Sequence, residues 1–337
     1  MDPILIDVST GQVRITIMNR TNDRINDDKV VEYKIDEVRD IAEALLRFAG
    51  QRNEELAGRT VYMSLPAPMD GDELTLSNLP PSWSFSISHL ERDLGIKLEA
   101  RNDATMAALA IPIFVKEGRH RRIGRGVPIA SRPIVAIIPY SGLGVAGLCP
   151  MKVPDIDDDL LVPIESEEGQ STYAAKSREE FERIEKVRMQ LADEADARFV
   201  DDTAVSAERV LSAKGLLRLY RALGGEADYP TWEDLLDAWR DRRDAKAEQA
   251  VRTYCAMLGS FAGDVALAFN VSGAVYLMGP VVKRIHPVLV EYGFRRHFED
   301  KPRRRDFLRN VPTYAFEADY ACLNGLNRIA LAREGGR

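Results

Sequence analysis

Four short stretches carry residues that chemistry could use. In DVSTGQVR, Asp7 stands at the mouth of a tight turn and is followed by Ser9, Thr10, Gly11 and Arg14. Two readings fit it: a plain β-hairpin whose short loop takes its positive φ from Gly11, or a loop that cradles phosphates. YSGLGVAG, from Tyr140, is a second glycine turn; turns need glycine whatever they bind, so alone it identifies nothing. In EARND, Asn102 and Asp103 close a buried strand and open a helix. That position suits a carboxylate aimed into a cleft, and a helix N-cap aspartate would look identical. Glu167 in SEEGQ and Glu208 in SAERVLS are of a type that is usually solvated, and nothing local singles out either one.

Composition narrows the classes these residues can serve. With 45% hydrophobic and 29% charged residues, the 337-residue chain is an ordinary globular protein, long enough for two domains. A net charge of −7 argues against a nucleic-acid surface. The two basic runs, RHRRIGR from Arg119 and KPRRR from Lys301, have acidic neighbours and read as solvated loops. Cys149, Cys255 and Cys322 are too dispersed for a disulfide framework, and His89, His120, His286 and His297 for a zinc site. No metal cluster is therefore expected. No charged-then-apolar leader precedes the first strand, and no apolar run approaches the roughly 20 residues that span a bilayer, so the expected compartment is the cytoplasm.

The elements that must hold these residues follow from periodicity. ILIDV, VRITIM and KVVEYKI read as strands, VRDIAEALLRFAGQ as a helix stopping at glycine, and TVYMSLPAP as a buried strand ending in prolines. SISHLERDLGI is a short helix, KLEARND a strand, and ATMAALAIPIF one apolar helix. RPIVAIIPYSGLGVAGLCP repeats the opening strand–turn–strand theme, which suggests duplicated α/β domains facing each other across a cleft. Residues 177–257 read as mostly helical, with SREE and TWED as capping signals. GAVYLMGPVV returns to a strand, and ACLNGLNRIALAR is a helix able to pack back on the first domain.

Taken together, the order and spacing of these pieces resemble the bacterial glucokinase family, within the superfamily of actin-like and hexokinase-like ATPases. The resemblance covers nearly the whole chain and rests on WSFSISHLERDLG, RNDATMAALAIP, GLGVAGL, VSAERVLSAKGLLRLYRAL and GFRRHFEDK. It implies two ribonuclease H-like α/β domains, a small one over 1–112 plus about 316–337 and a large one over 113–315 with a helical insertion. It also implies an ATP-dependent hexose kinase, acting with Mg on the 6-hydroxyl of glucose or a similar sugar, as a homodimer. On that resemblance Asp103 is the catalytic base, and Asn102, Asp103, Glu167, Gln170 and Glu208 bind the sugar. Asp7, Ser9, Thr10, Gly11, Arg14, Ser141, Gly142, Gly144 and Gly279 belong to the nucleotide side. Ionised carboxylates suit a sugar because it offers many hydroxyl donors.

The nucleotide side departs from the family pattern. Ser9, Thr10 and Gly11 stand where the family has Gly-Gly-Thr, Tyr140 and Ser141 where it has Gly-Thr, and Gly279-Pro280 where it has Gly-Gly. On the sugar side Gln170 replaces a histidine, and Glu168 adds charge beside the pocket or points to solvent. These changes define an alternative: a weak or inactive relative that binds a sugar and acts through a regulatory protein partner. A sugar-responsive repressor is disfavoured, because no helix-turn-helix precedes the first strand.

Overall fold

Alternating apolar residues build the first sheet. The computed structural model describes residues 1–67, 69–76, 79–151, 160–193, 204–316 and 319–334. Strands β1 (Ile4–Val8) and β2 (Gln12–Ile17) form an antiparallel hairpin, and β3 (Val31–Lys34) pairs with β2. Helix α1 (Ile41–Arg52) leads to β4 (Thr60–Leu65), which lies parallel to β1. A ribbon of β5 (Glu73–Leu74) and β6 (Phe85–Ser86) precedes α2 (Ile87–Leu94) and β7 (Lys97–Asn102), parallel to β4. Helices α3 (Asp103–Leu109) and α4 (Ile111–Lys116) follow. The strand order is β3-β2-β1-β4-β7.

A second sheet repeats this plan. It comprises β8 (His120–Arg122), β9 (Ile134–Pro139), β10 (Leu143–Met151) and β11 (Leu160–Ser166). Then come α5 (Arg178–Asp193), α6 (Ala207–Leu211), α7 (Ala213–Ala222), α8 (Trp232–Arg240) and α9 (Ala245–Ala268). Strand β12 (Ala274–Leu277) is followed by α10 (Pro280–Ile285), α11 (Phe294–Phe298), α12 (Arg305–Asn310) and β13 (Thr313–Phe316). Helix α13 (Ala321–Glu334) comes last. The order is β11-β10-β9-β12-β13-β8. As in the first sheet, three antiparallel strands are extended by two parallel ones; β8 is an added edge.

The chain divides into two compact units, Met1–Arg119 with Ala318–Arg337, and His120–Glu317. In unit 1 the period-2 alternation of β1 sends Ile4, Ile6 and Val8 into a core shared with α1, leaving Leu5 and Asp7 on the opposite face. Helix α1 starts where the Asp40 carboxylate accepts from Glu43 N–H, and it buries Ile41, Ala44, Leu45 and Phe48 at helical spacing. Each large apolar side chain buried this way contributes about 1.5–3 kcal/mol. Unit 2 has a separate core built on β9, β12 and the long helix α9.

Several local expectations need correction. The β1–β2 turn closes without a left-handed residue at Gly11. Helix α1 runs through the exposed Gly50 and stops at Asn53, whose left-handed backbone ends it. ATMAALAIPIF is two helices, because Pro112 has no N–H for a continuous ladder and can stand only in the first turn of α4. His120–Arg122, read as part of a loop, forms the edge strand on β13, its exposed arginines discouraging further pairing. The second proline of TVYMSLPAP, Pro68, and residues 194–203 of the helical stretch lie outside the described residues.

Candidate active site

In unit 1 the sheet register gathers one group of the candidate residues. Asp7 lies opposite Arg14 on β2 and opposite Ser64 on β4. Ser64 Oγ donates to Asp7 Oδ1 at 2.6 Å and Arg14 to Oδ2 at 3.2 Å, and Asp7 is 4% exposed. Arg14 also donates to Gln12 Oε1 at 2.7 Å and faces Glu32 at 3.7 Å. Burial opposes its charge, yet the Asp7 and Glu32 carboxylates outweigh this and raise its pKa. In the turn, Ser9 directs both its N–H and its hydroxyl to Gln12 O, at 2.9 and 3.0 Å. Among the described residues, no neighbour occupies the Thr10 hydroxyl.

At the β7–α3 junction Asn102 and Asp103 take different positions. The N-cap of α3 is Asn102, whose Oδ1 accepts from Thr105 N–H at 3.1 Å. Asp103 is the first residue of the helix, and its Oδ1 accepts from Ala104 N–H at 2.7 Å. The Cys322 thiol, on α13, donates to Asp103 O at 3.5 Å. Burial first, then the nearby Asp7 and Asp103 carboxylates, push that thiol's pKa well above its usual value and keep it protonated. Asp7, Asp103 and Cys322 thus share one region of unit 1.

Unit 2 brings together a second group of candidates. The turn after β9 places Tyr140, Ser141 and Gly142 before β10, closed by Tyr140 N–H donating to Gly142 O at 2.9 Å. Gly144 continues as β10, opposite Ile138. Glu208 sits in the first turn of α6 and accepts from Leu143 N–H at 3.0 Å. Glu167, which is exposed, precedes a 3-10 turn, Glu168–Gln170, in which Glu168 is half-buried and Gln170 exposed. The Glu167 pKa is raised, first by desolvation and then by the Glu208 and Glu165 charges, although contact with water moderates the effect. Gly279 precedes α10, and Pro280 takes its first position, where the missing N–H is no loss.

Ser64, Cys322, Leu143 and Gly169 were missed from sequence. A serine inside the apolar strand YMSL was the one visible signal; the others depend on contacts distant in sequence.

Two α/β units of this repeated topology give the chain the architecture of the hexokinase-like fold class. The family described as Glucokinase matches residues 4–333. A glucokinase of Aromatoleum aromaticum is 36% identical over 290 residues, covering 83% of this chain and 82% of the relative. One of Nitrobacter hamburgensis is 34% identical over 274 residues, covering 80% and 79%. Among solved structures, a glucokinase from an Antarctic psychrotroph shares the fold at TM-score 0.74 and 20% identity, over 97% of this chain and 98% of that one. A Balamuthia mandrillaris glucokinase in complex with glucose also gives 0.74, at 15% identity, over 98% and 93%. The chain belongs to the glucokinase family, and its activity is ATP-dependent phosphorylation of a hexose.

Proposed function

We propose that Asp103 is the general base of a glucokinase-type transfer to the 6-hydroxyl of glucose or a similar hexose, held by Asn102, Asp103, Glu167, Gln170 and Glu208. The supporting observation is the geometry at the β7–α3 junction: Asn102 Oδ1 takes the N-cap bond from Thr105 N–H, and Asp103 binds Ala104 N–H through Oδ1 alone, so its second oxygen is not needed for that bond. In the reaction the Asp103 carboxylate takes the hydroxyl proton as the sugar oxygen bonds to the γ-phosphorus, and the bond from that phosphorus to the bridging oxygen of ADP breaks. Alignment and charge stabilisation supply most of the acceleration.

The nucleotide side fits ATP with fewer donors than the family pattern offers. Ser9 is committed to its own hairpin, so the phosphate contacts of this reading fall on Thr10, Gly11, Ser141 and Gly142, with Asp7 and Arg14 behind the first turn and Gly144 and Gly279 flanking the second half. Magnesium, arriving on the nucleotide, would neutralise charge on its phosphates. No observation favours the inactive alternative. A homodimer and a cytoplasmic site of action complete this reading; among the described residues no helix is long and apolar enough to cross a membrane.

The test is coupled ADP release over a panel of hexoses, with Asp103→Asn alongside. Glucose should be turned over, and the variant should lose at least about 100-fold in kcat while glucose still binds. Near-normal turnover in the variant would remove Asp103 from the role.

A further inference from the structure

The second glycine turn, Glu208 and Gly169, two residues beyond Glu167, converge on one residue, Leu143. Its N–H donates to Glu208 Oε2 at 3.0 Å. Its carbonyl is approached so closely by Gly169 that a Cβ there would stand 2.0 Å from the oxygen. A Cβ on Gly142 would meet Glu208 Oε2 at 2.6 Å. The approach to the Leu143 backbone requires glycine at position 169, whereas a side chain at position 142 would push the Glu208 carboxylate off its bond to Leu143. A further tie joins the same turn to the junction of α6 and α7: Ala213 N–H donates to Tyr140 O at 2.7 Å, and Ser212 N–H to Glu208 O at 3.0 Å. All these groups belong to unit 2.

We propose that Glu208 is a positioning residue for the ATP-binding turn as well as a ligand of the sugar: Oε2 holds Leu143 N–H, and with it Ser141 and Gly142, while the remaining lone pairs take a sugar hydroxyl. A carboxylate has about four acceptor sites, so both bonds coexist. This rests on the reading that Glu208 binds the sugar and Ser141–Gly144 the phosphates. A hydroxyl bound to Glu208 immobilises its carboxylate and so the turn, which makes sugar tighten nucleotide binding. By linkage, nucleotide tightens sugar binding by the same factor. Gly169, in the 3-10 turn that follows Glu167, approaches the carbonyl side of Leu143, so the turn is held between the two segments that carry Glu167 and Glu208.

Calorimetry with a non-hydrolysable ATP analogue and Mg²⁺, without sugar, reads the positioning role directly. Glu208→Ala should weaken the analogue roughly tenfold. Glu208→Gln, whose amide oxygen still accepts from Leu143, should restore most of that affinity. Glu208→Asp keeps the charge but is one methylene short, so it should bind the analogue like Ala, and it carries the test should Ala fail to fold. Glucose should tighten the analogue on the wild type and not on Ala or Asp. Unchanged or stronger analogue binding in Ala and Asp overturns the positioning role. Weakened analogue binding with unchanged glucose affinity instead overturns the sugar assignment, and the coupling with it.

Discussion

Glu165, Glu167 and Glu208 set an electrostatic problem at one edge of unit 2, since desolvation and two neighbouring charges all oppose ionisation of Glu167. Its folded-state pKa lies above the unfolded value, so the folded protein takes up that proton first. The destabilisation from keeping Glu167 ionised is fully present above the raised pKa and is gone below the ordinary value. Glu167→Gln should therefore raise Tm at pH 7, and the gain should vanish below about pH 4. A wild-type sugar site that needs the ionised acceptor should lose glucose affinity on acidification from neutrality, earlier than an ordinary glutamate would allow. Calorimetric titration across pH, with the thermal melts, checks both signs. At this scale the residue types were legible and their partners were not. Asp103 was visible at the end of EARND, but only the Asn102–Thr105 bond showed which of the two caps the helix. The sequence offers the Ser9 hydroxyl to phosphate, and in the structure it donates to Gln12 O within the hairpin.

Helix α13 shows what the elements contribute. Two of its fully buried residues are asparagines, and both clamp the connection between β2 and β3. Asn324 Oδ1 accepts from Ile25 N–H at 3.1 Å. Asn327 Oδ1 accepts from Asn19 N–H at 2.8 Å, while its Nδ2 faces the carbonyls of Asn22 and Asp23, each at 3.0 Å. Asn327→Ala would leave these backbone groups buried and unpaired, at a cost on the order of 2–4 kcal/mol in urea unfolding. Asn327→Asp should cost more, because it turns a carboxylate towards carbonyl oxygens. A smaller loss for Asp than for Ala would show that this amide does not satisfy those carbonyls. The helix itself was legible from its apolar spacing; its clamp was not, since the partners lie some three hundred residues away. The same limit hid β8 and β11: HRR becomes a strand only because β13 offers it an edge, and LLVPIES only beside β10. The break between α3 and α4 was readable in Pro112 but was overridden by the apolar run around it.

On the scale of the molecule, the same strand order occurs twice and each unit has its own core. The repeated turns DVSTGQVR and YSGLGVAG were the visible trace of that duplication. Three tryptophans divide between the units, Trp83 in the first and Trp232 and Trp239 in the second. In urea, fluorescence from Trp83, read in a Trp232→Phe/Trp239→Phe variant, should report a midpoint different from that of a Trp83→Phe variant. Coincident midpoints would mean that the two cores melt as one. The helices that follow the last parallel strands, α3 and α13, are counterparts in the repeat, yet α13 packs on α3, β1 and β4 of unit 1. On a translating ribosome, where segments leave the exit tunnel in order, this reverses the usual sequence of events. Unit 2 is continuous along the chain and can finish as it emerges. Unit 1, begun first, waits with part of one sheet face, beside α3, uncovered until α13 arrives, so the earlier-made half is the later to mature and the longer in need of a chaperone.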